Sequence, residues 1–85
     1  DPSAELPLCL LALKGTVHLR SSRGCRQVAA DDFFTGLLST ARRSDELIEA
    51  VSFPRPGPGE SFGFAEHSRR HGDFALCAVA IVANE

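Results

Sequence analysis

The run ALCAVAIVA, residues 75–83, constrains this chain more than any other stretch. Consecutive apolar and small residues, with Val and Ile among them, read as a β-strand. Leu76, Ala78, Ala80 and Val82 fall on one face and Cys77, Val79 and Ile81 on the other. A strand that is apolar on both faces needs cover on both. The chain has 85 residues, which makes at most one small domain with a marginal core. The residues before the run supply cover for one side only, so the reading expects the polypeptide to continue past this strand in its natural setting. The run is far shorter than the roughly 20 residues of a membrane-spanning helix.

The opening DPSAELPLCLLALKG reads as a helix. Asp1 can cap it, Pro2 stands where a missing N–H costs nothing, and Gly15 can take the left-handed conformation past its end. Pro7 delays the regular helix to about that point. Leu6, Cys9, Leu10 and Leu13 form one apolar stripe. Alternation then marks strands near 16–21 and 25–29 joined by the turn SSRG. Asp31 or Asp32 caps a short helix near 31–36 that presents Phe33, Phe34 and Leu37 to the core. Leu47, Val51 and Phe53 lie on one side of a strand near 46–53, with Ile48 opposite. Residues 54–59, PRPGPG, form an exposed loop. Phe62 and Phe64 point inward from a strand near 61–67, and a hairpin across the Pro/Gly loop is the natural pairing. The fold class is α+β, an antiparallel sheet with an N-terminal helix and a short second helix.

Charge and composition exclude several functions. Eleven acidic and nine basic residues are dispersed without a block of either sign, for a net charge of -2, so no polyanion-binding surface and no nucleic-acid partner are expected. The absence of Trp and Tyr removes the usual base-stacking platforms. Cys9, Cys25 and Cys77 are odd in number and widely spaced, which signals neither a disulfide framework nor a zinc site; buried, reduced thiols are expected. His67 and His71 are spaced for a metal pair only on a helix, and Gly72 with Asp73 argues for a turn there. No metal site and no catalytic residue are expected. The start DPSAELP has no signal-peptide pattern, and a cytoplasmic location is expected.

The segments DPSAELP, ADDFFTG, DELIEAVSFP and FAEHSRRHGDFAL, in this order and spacing, resemble the flavin-binding medium subunit of carbon monoxide dehydrogenase-type molybdenum hydroxylases; the flavin domain of xanthine dehydrogenase is similar at greater distance. The resemblance spans nearly the whole chain. It implies a two-lobed FAD-binding domain, with residues 1–74 as the latter part of the second lobe and 75–85 as the first strand of the C-terminal domain. It also implies electron flow through FAD to an external acceptor. The molybdenum cofactor and [2Fe-2S] clusters would reside on a large and a small partner subunit of a heterotrimeric complex. Two glycine-rich segments that hold the flavin pyrophosphate in this family have no counterpart here, since the glycine of SFGFAE precedes no helix. The FAD site is therefore expected to be incomplete, and the chain by itself inactive.

The resemblance also nominates cofactor-binding positions. Glu5 matches an acidic position beside the flavin, and Ile48 a branched aliphatic residue that packs on the isoalloxazine ring. Ala65 stands where xanthine-oxidising members carry a lysine, and Arg69 follows in the adjoining basic turn. Read without the resemblance, Glu5 is a first-turn glutamate favoured by the helix dipole, Ile48 an ordinary strand residue, and SRRHGD a solvated turn. The alternative function is a non-catalytic remnant or assembly module that keeps the sheet and binds no flavin.

Overall fold

The computed structural model describes residue 1 and residues 3–84, so the role expected for Pro2 lies outside the described residues. In chain order the elements are α1 (Glu5–Ala12), β1 (Thr16–Ser21), β2 (Gly24–Ala29), α2 (Ala30–Phe33), β3 (Phe34–Gly36), β4 (Ser39–Thr40), β5 (Leu47–Ser52), β6 (Glu60–His67) and β7 (Cys77–Asn84). Every strand pairing is antiparallel, as the sequence leads one to expect.

Both ends of α1 differ from the sequence reading. Asp1 caps a turn ahead of the helix, its carboxylate accepting the Ser3 N–H at 2.9 Å, and the helix starts after Ala4, which supplies no side-chain cap. At the other end Lys14, not Gly15, takes the left-handed conformation, with φ 55°. The Gly15 N–H closes on the Leu10 carbonyl at 2.8 Å, and Gly15 is needed for close approach rather than for its backbone freedom. Of the predicted stripe, Leu10 is buried, Cys9 and Leu13 are half-buried, and Leu6 is exposed.

The sheets do not join as expected. β5 pairs with β1, giving the order β2-β1-β5, and β6 pairs with β7 in a separate two-stranded sheet. The hairpin predicted across residues 54–59 is absent because β5 takes β1 as its partner. The proline-rich segment instead ends in a turn, with the Glu60 N–H donating to the Gly57 carbonyl at 3.2 Å and Gly59 at φ 78°, and leads into β6. A bulge adds a second correction. Leu19 pairs with Ile48 while His18 pairs with Ala50, so Glu49 is the extra residue. Residues paired across a ladder share a face. The bulge therefore puts Ile48 on the side of Leu19 and Val51, and Leu47 on the opposite side, beside Arg20.

The core lies between this sheet and the two helices. Leu10, Val17, Leu19, Ala30 and Phe33 are buried, with Val28, Phe34, Ala41 and Val51 packed around them. The second helix is only four residues long, and the chain turns at once into β3. Leu37 therefore reaches the tip of a small hairpin, 79% exposed, instead of the core. Cys25 and Cys77 are exposed and Cys9 half-buried, contrary to the expectation of buried thiols; the open sheet faces leave them uncovered.

A buried carboxylate pins the loop between β4 and β5. Glu46 accepts two hydrogen bonds from Arg26, Nε to Oε2 and Nη2 to Oε1, both at 2.7 Å, and a third from the Arg43 N–H at 2.7 Å. Arg26 also donates to the Ala41 carbonyl at 2.8 Å, and Arg42 Nη1 to the Glu46 carbonyl at 2.8 Å. The Arg26 hydrogen bond, then the Arg43 amide, hold the Glu46 carboxyl at about 2, below its ordinary 4.5.

β7 pairs with β6 residue for residue, from Glu60↔Asn84 to His67↔Cys77. Phe62, Phe64, Ala80 and Val82 share the face that meets α1. On the other face Val79 and Ile81 remain 53% and 56% exposed, as the two-sided apolar pattern demands.

Candidate functional site

A cleft of about 630 Å³ opens where the start of α1 crosses β6 and the turn that follows it. Helix α1 contributes Glu5, Leu6 and Cys9, strand β6 contributes Phe64 and Glu66, and the turn contributes Asp73 and Phe74. The helical step brings Leu6 and Cys9 to one side, and the two-residue period of β6 sends Phe64 and Glu66 to the face that meets the helix. Gly72, with φ 88°, makes the turn that carries Asp73 and Phe74 back to the cleft. Around it, the Asp73 N–H donates to the Arg70 carbonyl at 3.1 Å and Ser68 Oγ donates to the same carbonyl at 2.8 Å, so SRRHGD forms a largely exposed turn.

The electrostatics of the cleft are one-sided. Among the described residues that line it, Glu5, Glu66 and Asp73 carry carboxyl groups and none carries a cationic group. Desolvation, then the neighbouring Glu5 carboxyl, push the Glu66 carboxyl above its ordinary value. Asp73 lies 3.6 Å from Arg70 across an exposed pair. Such a cleft suits a flat, largely apolar group whose edge donates hydrogen bonds to Glu5 or Glu66. It is unsuited to a phosphate, because the first turn of α1 bears Glu5 and the helix start has no glycine-rich turn of free amides.

The four positions nominated from the sequence are distributed over different surfaces. Glu5 lines the cleft. Ile48 is on β5, 53% exposed, on the core side of the three-stranded sheet. Ala65 pairs with Val79 on the β6 face turned away from α1, and Arg69 is exposed in the turn. Ile48, Ala65 and Arg69 are not part of the cleft lining. Sequence reasoning missed Phe74 as a wall of the cleft, because only the turn geometry brings it back. Glu66 was legible in part: strict alternation with Phe62 and Phe64 already places it on the helix-facing side.

Comparisons with known proteins agree on one family. The family described as "FAD binding domain in molybdopterin dehydrogenase" matches residues 1–56. The nicotine 6-hydroxylase medium subunit of Paenarthrobacter nicotinovorans is 44% identical over 82 residues, covering 96% of this chain and 28% of its own. Among solved structures, reconstituted CO dehydrogenase from Oligotropha carboxidovorans superposes with a TM-score of 0.90 at 32% identity, over 100% of this chain and 30% of that one. Quinoline 2-oxidoreductase from Pseudomonas putida 86 superposes with a TM-score of 0.84 at 36% identity, over 94% of this chain and 27% of that one. The chain thus spans 28% of the length of the curated relative.

Proposed function

This chain belongs to the family of FAD-binding domains in molybdopterin dehydrogenases, and we propose that it is part of a flavin-carrying subunit through which electrons pass from iron–sulfur clusters to FAD and on to an external acceptor. The family match over residues 1–56 carries the reading, and the agreement of fold with CO dehydrogenase and quinoline 2-oxidoreductase supports it. The relative's name, a medium subunit, supports large and small partners, which would carry the molybdenum cofactor and the [2Fe-2S] clusters. Residues 1–74 would complete the second lobe of the flavin domain, and residues 75–85 would open the domain that follows.

The residues present fit one end of FAD. When bound, FAD supplies one- and two-electron redox chemistry. Glu5 would accept a hydrogen bond from the edge of the isoalloxazine ring, with Phe64 and Phe74 as apolar walls. Ile48 and Arg69 are proposed as further contacts on their own surfaces, whereas Ala65 brings no cation to the ring. The pyrophosphate end finds no cradle among the described residues, and the acidic cleft would repel it. The chain should then bind FAD far more weakly than a subunit that includes the glycine-rich segments. Titration followed by flavin fluorescence measures this, and a stoichiometric, submicromolar complex would overturn the assignment of pyrophosphate binding to other segments. Co-expression with the neighbouring genes tests the wider reading. A copurified complex holding molybdenum, iron–sulfur clusters and FAD is expected; a complex that assembles without flavin would identify an assembly module instead.

A further inference from the structure

At one end of the sheet β2-β1-β5, the pairings Arg20↔Cys25 and Arg20↔Leu47 bring three residues level on the side away from the core. Leu47 is 74% exposed there. The nearby carboxylates are all engaged: Glu49 by Arg20 at 2.8 Å, Asp45 by Arg23 at 2.7 Å and Glu46 by Arg26 at 2.7 Å. Arg42 and Arg43 of the adjoining loop have no carboxylate in ion-pair contact among the described residues. Arg42 donates to the carbonyls of Arg43 and Glu46 at 3.1 and 2.8 Å. The Arg43 side chain has neither a hydrogen bond nor an ion pair among the described residues, and it borders a depression of about 200 Å³ with Arg23 and Cys25.

We propose that this end of the sheet is a docking surface for an acidic segment of a partner protein, whose carboxylates meet Arg42 and Arg43 and whose apolar side chain covers Leu47. Charge complementarity carries the choice of partner. Five arginines lie at this end of the sheet against three carboxylates, in a chain whose net charge is -2, so positive charge is locally in excess here. Guanidinium groups bind carboxylates through paired, planar donors, and arginine is enriched in protein interfaces. The Glu46 hub holds the loop before any partner arrives, which removes an ordering cost from binding. A nucleic acid is the poorer fit, because none of the residues forming the surface is aromatic. The inference stands apart from flavin binding.

The test uses the isotopically labelled intact chain and the peptide acetyl-Glu-Glu-Leu-Glu-Glu-amide, with its lysine counterpart and inorganic phosphate as controls. Amide shifts at residues 20–26 and 42–47 are expected with the acidic peptide only. Arg43→Gln should weaken binding about two- to fivefold, as for an exposed charge pair, and Leu47→Ser should weaken it independently. Both side chains are exposed, so the variants should keep the native spectrum, and Arg55→Gln in the remote loop should bind like the parent. Shifts scattered elsewhere, no shifts at millimolar peptide, or equal loss in Arg55→Gln would overturn the proposal. Identical shifts with inorganic phosphate would also overturn it, showing an adventitious ion only.

Discussion

A Cβ at Gly15 would come within 2.5 Å of Leu10 Cδ2 and 2.9 Å of the Ser52 carbonyl oxygen. Leu10 is a core residue and Ser52 ends β5, so neither neighbour moves freely. Gly15→Ala is therefore expected to cost about 1–3 kcal/mol through overpacking. In a chain of this size each kcal/mol lowers the unfolding midpoint by roughly 4–8 °C; an unchanged thermal midpoint would show that α1 and β5 are not tightly apposed. Glu46 sets a different dependence. Its folded pKa, about 2, lies below the ordinary 4.5, so its contribution is fully present above pH 4.5 and is lost as pH falls from there towards 2. Denaturant midpoints across this window should fall less steeply in Glu46→Gln than in the parent chain, and Glu46→Gln should start from a lower midpoint at neutral pH because a buried arginine pair is broken. Parallel curves would show that Glu46 titrates normally. The sequence offered no sign of this network, since Arg26 and Glu46 meet only through the fold.

Among the elements, β7 is the one whose sequence and surroundings agree least. It has no charge, proline or glycine, the usual devices that protect a sheet edge. It bonds to β6 on one side only. One face rests towards α1, and the other leaves Val79 and Ile81 about half exposed. Burying such a side chain is worth roughly 1.5–3 kcal/mol, so the purified chain should associate in a concentration-dependent way. Light scattering on Val79→Lys and Ile81→Lys should show that association reduced. A parent chain that stays monomeric over the same range would mean that the exposed face is tolerated in water. β5 teaches the complementary lesson: its apolar residues were readable, but the bulge at Glu49 reversed the face of Ile48 relative to Val51.

At the scale of the whole molecule the chain is open. Its radius of gyration is 14.6 Å, against about 12 Å for a compact chain of this length, and its extents are 40 × 36 × 20 Å. A flat assembly of small sheets and short helices leaves large apolar side chains such as Phe62, Phe74 and Leu76 more than half uncovered. In the candidate site, Glu5 was reachable from the resemblance and Glu66 from alternation, while the cleft itself, Phe74 included, arises only where the turn folds back. By itself the sequence determined α1, the strands β1, β2, β5, β6 and β7, their antiparallel character and the two-sided apolar nature of β7, because helical and strand periods are properties of neighbouring residues; the β3–β4 hairpin was not among them. Only the tertiary structure decided the partner of β5, the bulge that turns Ile48, the burial of Glu46 and the close approach at Gly15. Each depends on hydrogen-bond ladders and contacts between residues far apart in the chain, which no local pattern encodes.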